Sequence, residues 1–414
     1  MKLTQTAILC GGLGTRLRPL TDRIPKPMVP VNGRPFLEYL LEQVKDQGIS
    51  KILLMTGYLG EQIQDYFGDG SKWNLEIQYS HGPVEWDTGR RLYEAKSLLQ
   101  DSFVLMYSDN FVQVNLKKLI TFHEQSGKLL SFIVQSKKNA NIRLSPDGIV
   151  ENYDKTRTAE NLNFVELGFM ITDKRIFDYY QEIDVSFSDI LFNLVSVRQV
   201  SGMIVNDAYH SVSDPERLEL IREYLKPKKF ILIDRDGVIN EKAPKGEYIT
   251  SWNDFRFISE TIDGLKQLSQ EGFKFIIISN QAGVGRGVVS AEVVQRINAL
   301  MVESLRKEGI QVLQVYVCPH HWEDKCDCRK PEPGMFFQAS KDWLFRLDRT
   351  FFIGDDPRDC QAAYNAGCLS IFLGDKAELN SISTAEQPQF ISNQLDQIIP
   401  SLLPHDYFKN TISN

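Results

Sequence analysis

The stretch that most constrains this chain is Phe230–Asn240, FILIDRDGVIN. Four apolar residues, Phe230 to Ile233, run directly into Asp234-Arg235-Asp236-Gly237. A short apolar run of this kind reads as a strand buried on both faces, and such strands belong to parallel sheets. Open α/β sheets place their ligands beyond the C-terminal strand ends, which is where these carboxylates fall. Asp234 and Asp236 are two apart, so they leave the strand on one face, and Gly237 frees the backbone to turn. Two acids held together suit a nucleophile beside a proton donor, or a hard cation. A lone Asp-x-Asp is more often a solvated loop with one Asp capping a helix, so the downstream residues must decide.

At 414 residues the chain is too long for one ordinary core, and two domains are expected. A net charge of −7 argues against a general nucleic-acid binder, although a local basic pocket can still hold phosphates. No segment approaches the length of a membrane helix. The start carries one charge, Lys2, and no apolar run long enough for a signal peptide. Six cysteines are too few for a disulfide framework. Three of them, Cys318, Cys326 and Cys328, crowd together with His320, which points to metal in a reducing, cytoplasmic setting. The expectation is therefore a cytoplasmic protein with no nucleic-acid or membrane partner; homo-oligomerisation is left open.

In the N-terminal half, Thr6–Cys10 is a short apolar strand entering Gly11-Gly12-Leu13-Gly14-Thr15-Arg16, with Lys26 further on. Glycines at 11, 12 and 14 would let backbone N–H groups reach phosphate oxygens, and Arg16 and Lys26 add fixed positive charge. No Gly-Lys-Ser/Thr closes the loop, so it is not a P-loop, nor does it follow the dinucleotide pattern. The full run GGLGTRLRPLTDRIPKPMVPVNGRPFLEYLL resembles the signature of the sugar-1-phosphate nucleotidyltransferases, and the likeness continues over roughly the first 220 residues. That resemblance implies that Asp109, at the end of the strand from Phe103, binds Mg²⁺. It implies that Lys155 contacts the sugar phosphate, and that Glu166 and Gly168 line the sugar pocket. It also implies that Gly11, Gly12, Gly14 and Thr15 cradle the nucleotide, while Arg16 and Lys26 stabilise phosphate charge. Two stretches depart from the pattern: Asp87-Thr88-Gly89-Arg90-Arg91-Leu92 is bulkier and more charged than usual, and Ser211 stands where a second metal-binding Asp is usual, with Asp207 or Asp214 as substitutes.

Asp214–Leu225 reads as an amphipathic helix with Pro215 in its first turn. Pro227 and the basic residues around it follow, so the boundary is set at 226, dividing the chain into 1–226 and 227–414. In the second half, Phe273–Ile278 is an apolar strand delivering Ser279, Asn280 and Gln281. Lys330 follows between prolines that should hold it in an extended segment, and the strand Arg349–Ile353 ends in Gly354-Asp355-Asp356-Pro357-Arg358-Asp359. Strand-Asp-x-Asp, strand-Ser, Lys and strand-Gly-Asp-Asp-x-x-Asp, in this order, resemble the haloacid dehalogenase-like phosphatases. On that resemblance Asp234 attacks phosphorus, Asp236 serves as acid and then base, and Ser279 and Lys330 hold the phosphoryl oxygens. Asp234, Asp236 through its carbonyl and Asp355 bind Mg²⁺, with Asp359 supporting them, and five carboxylates including Asp356 converge on one sheet edge. Cys318, His320, Cys326 and Cys328 form a closed set suited to structural Zn²⁺, which would pin the loop carrying Arg329 and Lys330. With Ser279–Arg286 and the Cys-Asp-Cys-Arg-Lys-Pro run, this half resembles the histidinol-phosphate and D,D-heptose 1,7-bisphosphate phosphatases. Too few residues separate the motifs for a large cap, so Asn280, Gln281, Arg286 and Arg329 are placed at the substrate.

The expected fold is α/β throughout: a Rossmann-like nucleotidyltransferase domain followed by a haloacid dehalogenase-like Rossmannoid domain without a large cap. The expected function is bifunctional. One site cleaves the C7 phosphate of a heptose 1,7-bisphosphate, and the other joins the remaining 1-phosphate to a nucleotide, with GTP favoured. The competing readings are a histidinol-phosphate phosphatase fused to another transferase, and a phosphatase with a non-catalytic sugar-nucleotide-binding domain.

Overall fold

The computed structural model describes residues 3–403 apart from Gln181, Ile183, Asp184, Asp207 and Lys245. It resolves into two compact units, Met1–Glu223 and Tyr224–Asn414. The division falls inside the helix Pro215–Leu225, just before the basic stretch at Lys226.

The first unit is built on a nine-stranded mixed sheet. Its centre is three parallel strands, Ser102–Tyr107, Gln5–Cys10 and Lys51–Thr56, with Ala7 paired to both Leu105 and Leu53. Their apolar side chains are buried on both faces, as the continuous hydrophobic runs require. The helix Phe36–Asp46 packs its Phe36, Leu37, Leu40, Leu41 and Val44 stripe into the core, so its polar face is left outward. The register Cys10 to Thr56 and Leu9 to Tyr107 levels the strand ends. The turns beginning at Gly11, Gly57 and Ser108 therefore open from one edge. The antiparallel strand Phe164–Asp173 adds Glu166 to that edge.

The second unit is an all-parallel six-stranded sheet in the order Val312–Cys318, Lys274–Asn280, Phe230–Ile233, Phe351–Gly354, Leu369–Leu373, Phe390–Ser392. Numbered by sequence this is 3-2-1-4-5-6, whose order reverses between the first and fourth strands. Asp234 leaves the first of these and Asp355 the fourth, so both acids stand at the switch point where such sheets bind ligands. Ile231 and Ile233 face one apolar cluster and Leu232 the other, the period-two alternation of a strand covered on both sides. Among the described residues no cap domain interrupts the unit.

Two local expectations fail. Lys330 is not in an extended segment: it stands in a turn closed by the Glu332 N–H donating to the Arg329 carbonyl at 2.8 Å, with a cis Lys330–Pro331 bond. The strand expected from Arg349 begins at Phe351, because the Thr350 N–H donates to Leu347 O at 3.0 Å and closes a turn first.

Leu232 is fully buried on the central strand of the second unit. Leu232→Ala should lower the free energy of unfolding by about 2–5 kcal/mol through lost burial and a residual cavity. Chemical denaturation monitored by circular dichroism checks this, and a change within error would mean the side chain is not packed as described.

Candidate active sites

The second unit assembles its acids around one ammonium group. Lys330 Nζ lies 2.9 Å from Asp234 Oδ1 and 2.8 Å from Asp359 Oδ1, and its side chain is 3% exposed. Burial alone would lower the lysine's pKa, but the attraction of Asp234 and Asp359 outweighs it and the pKa is raised. Burial likewise raises the Asp234 carboxyl, against the pull of Lys330. Asp234 Oδ1 also accepts the Arg235 N–H at 2.7 Å, so among the described residues its hydrogen bonds and ion pair fall on that one oxygen. Asn280 explains how Lys330 is aimed: its side chain accepts the Lys330 N–H at 3.0 Å and donates to the Lys330 carbonyl at 3.1 Å. Asn280 thus braces the lysine backbone.

Asp236 is gripped differently. Arg235 donates to both of its oxygens, at 3.1 and 2.9 Å, Asn240 to Oδ1 at 3.0 Å and Gln281 to Oδ2 at 2.6 Å. Gln281 also donates to Ser279 Oγ at 2.9 Å. Arg235 is itself buried and anchored to Asn298 at 2.9 Å. These four donor contacts fix the Asp236 side chain in place.

Asp355 carries an orphaned buried oxygen, Oδ1, while its Oδ2 pairs with Lys242 at 2.6 Å. Burial pushes its pKa up to about 6, with Lys242 opposing. Asp359 is saturated: Oδ2 accepts the N–H groups of Asp355 and Asp356 at 3.1 Å each, and Oδ1 holds Lys330. Asp234, Asp355 and Asp359 place carboxylate oxygens within 4.8 Å of one another. This all-oxygen set, with Asp355 Oδ1 unclaimed, fits a hard cation such as Mg²⁺ held by Asp234 and Asp355, with Asp359 behind them. Of the five acidic residues at this edge, Asp234, Asp355 and Asp359 make up the metal-type group. Asp356 caps the helix Pro357–Ala366 and pairs with Arg358 at 2.7 Å, and the Asp236 carboxylate stands outside the metal-type group. The capping role of Asp356 satisfies N–H groups at the helix start, which outweighs joining a crowd of like charges.

Beside this centre, Cys318, His320, Cys326 and Cys328 lie together. Cys318 Sγ is 3.7 Å from Cys326 Sγ and from His320 Nδ1, and Cys328 Sγ is 3.5 Å from Cys326 Sγ and 3.2 Å from His320 Nδ1. Thiolates about 2.3 Å from zinc at tetrahedral corners lie about 3.8 Å apart, so the donor set fits that metal. His321 caps the turn Trp322–Asp324 instead and stays out. Arg286 lies over the rings of Tyr248 and Trp322, at 5.7 and 5.4 Å. Arg329 has a buried Nη1 without a partner.

In the first unit Lys26 pairs with Asp109. Glu166 accepts the Gly168 N–H at 2.7 Å. Burial, reinforced by Asp109, pushes its carboxyl up to about 7 against that hydrogen bond. Lys155 is exposed and pairs with Asp189 at 3.5 Å. Arg16 and Thr15 are exposed beside the turn, Gly12 has open space around it, and Gly14 has a φ of +64°. At Gly11 a second reason for glycine appears. A side chain there would meet the Arg91 guanidinium at 2.3 Å, so Gly11 makes room for Arg91 and not only for a phosphate. Buried Arg91 donates to the carbonyls of Thr56 at 2.7 Å, Gly82 at 3.3 Å and Pro83 at 2.5 Å. Ser211 accepts from Arg217 at 3.1 Å and sits opposite Asn110 in a two-stranded ribbon. Asp214 caps the following helix and pairs with Arg217, so it does not replace a metal ligand at 211. Asp207 lies outside the described residues.

Comparisons with known proteins divide along the same line. Residues 5–182 match the nucleotidyl transferase family model, and residues 229–367 match that of polynucleotide kinase 3 phosphatase. The chain is 32% identical over 180 residues to a D-glycero-beta-D-manno-heptose-1,7-bisphosphate 7-phosphatase of Haemophilus ducreyi, covering 42% of this chain and 97% of that protein. Through its second half the chain belongs to the heptose-1,7-bisphosphate 7-phosphatase family. A second relative, the D-glycero-alpha-D-manno-heptose-1,7-bisphosphate 7-phosphatase of Photorhabdus laumondii, is 35% identical over 35% of this chain and 81% of that protein. The bifunctional protein GlmU of Methanococcus maripaludis is 26% identical over 50% of this chain and 51% of that protein. The chain is thus a phosphatase and a nucleotidyltransferase in one polypeptide.

Sequence reasoning missed Arg235 as a clamp, Asn298, Lys242 and the inward turn of Arg91. Asn298 left a signal, being polar on the apolar stripe Val294, Ile297, Met301, Leu305 of its helix. Lys242 and Arg91 left none that separates them from surface lysines and arginines.

The raised pKa of Glu166 has a pH signature. Its contribution to stability is complete below its ordinary 4.5 and is lost as pH rises through about 7, because the folded state then pays to ionise it. Glu166→Gln should therefore be more stable than the native protein at pH 8, by about 1–3 kcal/mol, with the gap closing towards pH 4.5. Urea denaturation across this range checks it, and parallel pH profiles would show that Glu166 is not buried as described.

Proposed function

We propose that the second unit hydrolyses the C7 phosphate of D-glycero-D-manno-heptose 1,7-bisphosphate, and that the first transfers a nucleotidyl group onto the resulting heptose 1-phosphate, releasing pyrophosphate. The observation that carries this reading is Asp234 at the switch point of the sheet, its Oδ1 fixed by Lys330 and the Arg235 N–H so that Oδ2 is the oxygen these two contacts leave for attack. It stands in a chain that matches heptose bisphosphate phosphatases on one side and nucleotidyl transferases on the other.

In the phosphatase reaction Asp234 Oδ2 attacks phosphorus and forms an aspartyl phosphate while the sugar oxygen departs. Lys330 and Ser279 bind the phosphoryl oxygens, with Asn280 and Gln281 fixing the positions of that lysine and serine. A protonated Asp236, turned away from Arg235, gives the departing oxygen its proton, and the carboxylate this leaves takes a proton from the water that cleaves the aspartyl phosphate. Magnesium bound by Asp234, Asp355 and the Asp236 carbonyl would neutralise phosphoryl charge. Arg286 and Arg329 face the remainder of the substrate.

In the transferase reaction the sugar phosphate attacks the α-phosphorus of a nucleoside triphosphate. Gly12, Gly14 and Thr15 offer backbone N–H groups, and Arg16 and Lys26 carry charge to the phosphates. Asp109 is the carboxylate for Mg²⁺, Lys155 meets the sugar phosphate and Glu166 takes a sugar hydroxyl. GTP is favoured because nucleotide activation of the alpha-heptose implies it; relatives named for both anomers match this chain. Zn²⁺ in the Cys318, His320, Cys326, Cys328 set is structural, since all four positions are filled by protein.

Phosphate and pyrophosphate release on a panel of sugar bisphosphates, histidinol phosphate and four nucleoside triphosphates tests the assignment. Phosphate should come from the heptose bisphosphate and pyrophosphate with GTP. Asp234→Asn should abolish the first, and Asp109→Ala should reduce the second by a factor of about 10² or more. Phosphate release from histidinol phosphate alone would overturn the substrate. The zinc assignment is checked separately: the purified protein should carry about one zinc per chain by atomic absorption, and Cys326→Ser should lose it. Full phosphatase activity in zinc-free protein would show that the loop needs no metal.

A further inference from the structure

Among the described residues two ammonium groups pair with the acid cluster of the second unit, and they are unlike. Lys330 is buried and bonded to two carboxylates, in a turn braced by Asn280. Lys242 comes from the loop after Asn240, its side chain is 47% exposed, and it holds only Asp355 Oδ2, at 2.6 Å. It reaches the cluster across the backbone of Gly237, where an added Cβ would meet Lys242 Cε at 2.5 Å and Asp355 Oδ2 at 2.0 Å. Gly237, with φ +94°, therefore leaves open the passage that the lysine uses.

The charges show what this lysine can do. Asp234, Asp355 and Asp359 face Lys330 and Lys242, a net charge of minus one, while Asp236 is neutralised by Arg235 and Asp356 by Arg358. A divalent cation makes the cluster plus one, and a phosphate dianion returns it to minus one. Without Lys242 the metal-loaded cluster would be neutral before the dianion arrives. The Lys242 ammonium and a hard cation also compete for Asp355. When the cation takes that carboxylate, the tethered ammonium is set free beside the place the phosphoryl group must occupy.

We propose that Lys242 is a second phosphate-binding cation of the phosphatase site, parked on Asp355 in the metal-free protein and passed to the phosphoryl oxygens when Mg²⁺ binds. The proposal rests on the phosphatase reading of this site and adds a residue to it. Lys242 is thereby a placeholder that keeps the acid cluster from standing bare and a ligand that makes phosphate binding depend on metal loading.

The full-length protein and its Lys242→Met and Lys242→Arg variants test this by titration calorimetry, with circular dichroism as the check on folding. With Mg²⁺ alone as the probe, Lys242→Met should bind the metal more tightly, by about three- to tenfold, since a like charge near the site is gone. With inorganic phosphate as the probe on Mg²⁺-saturated protein, the same variant should bind about tenfold more weakly. Lys242→Arg should recover most of the phosphate affinity. Unchanged phosphate binding in Lys242→Met overturns the proposal, as does an Arg variant as weak as the Met variant. If the native protein releases no phosphate from any sugar phosphate, the phosphatase reading itself fails; if native release is intact and Lys242→Met binds phosphate normally, only the role of Lys242 falls.

Discussion

An ammonium group sealed among carboxylates is the interaction on which the second unit depends. Lys330 has lost nearly all its water, which would be prohibitive without Asp234 and Asp359 on either side. Those acids in turn could not stand together at the switch point without it. Each remaining contact is arranged around this exchange: Asn280 holds the lysine backbone from the neighbouring strand, and Asp359 ties the Asp355–Asp356 turn to the same charge. Lys330 and the Arg235 N–H both bind the same oxygen of Asp234, Oδ1.

Much of this was legible from residue order. The apolar runs at Phe230–Ile233 and Phe273–Ile278 announced core strands, so the acids after the first and the Ser279-Asn280-Gln281 run after the second had to fall at a sheet edge. The thiols and imidazole at Cys318, His320, Cys326 and Cys328 announced a metal-type cluster by density alone. What stayed hidden depended on rotation about side-chain bonds. Arg235 could have faced solvent; it turns inward because Asn298 and both oxygens of Asp236 satisfy it there. Asp356 was one of five acids expected at this edge; that it would cap the helix start was not legible from its position. Asn280 and Gln281 looked like substrate ligands and serve first as struts.

The first unit shows the same division between pattern and detail. Strand register brings the Gly11 turn, Asp109 and Glu166 to one edge, as the alternation of apolar runs and turns suggested. Its charge balance is different from that of the second unit. One half-buried carboxylate, Asp109, pairs with one lysine, and Glu166 is driven towards its neutral form by burial. Ser211, answered by Arg217, adds no negative charge. Among the described residues this edge therefore offers Asp109 as its clear carboxylate for a cation, with arginine and lysine supplying further positive charge.

Arg91 ties residues far apart in the chain into one steric unit. Its guanidinium lies against both Gly11 and Gly57, and neither position has room for a methyl group while it is there. Positions 11, 57 and 91 cannot drift independently over evolutionary time. A lineage that shortened the arginine could then admit alanine at either glycine, whereas one that kept it could not, so these three sites should change in a fixed order, arginine first.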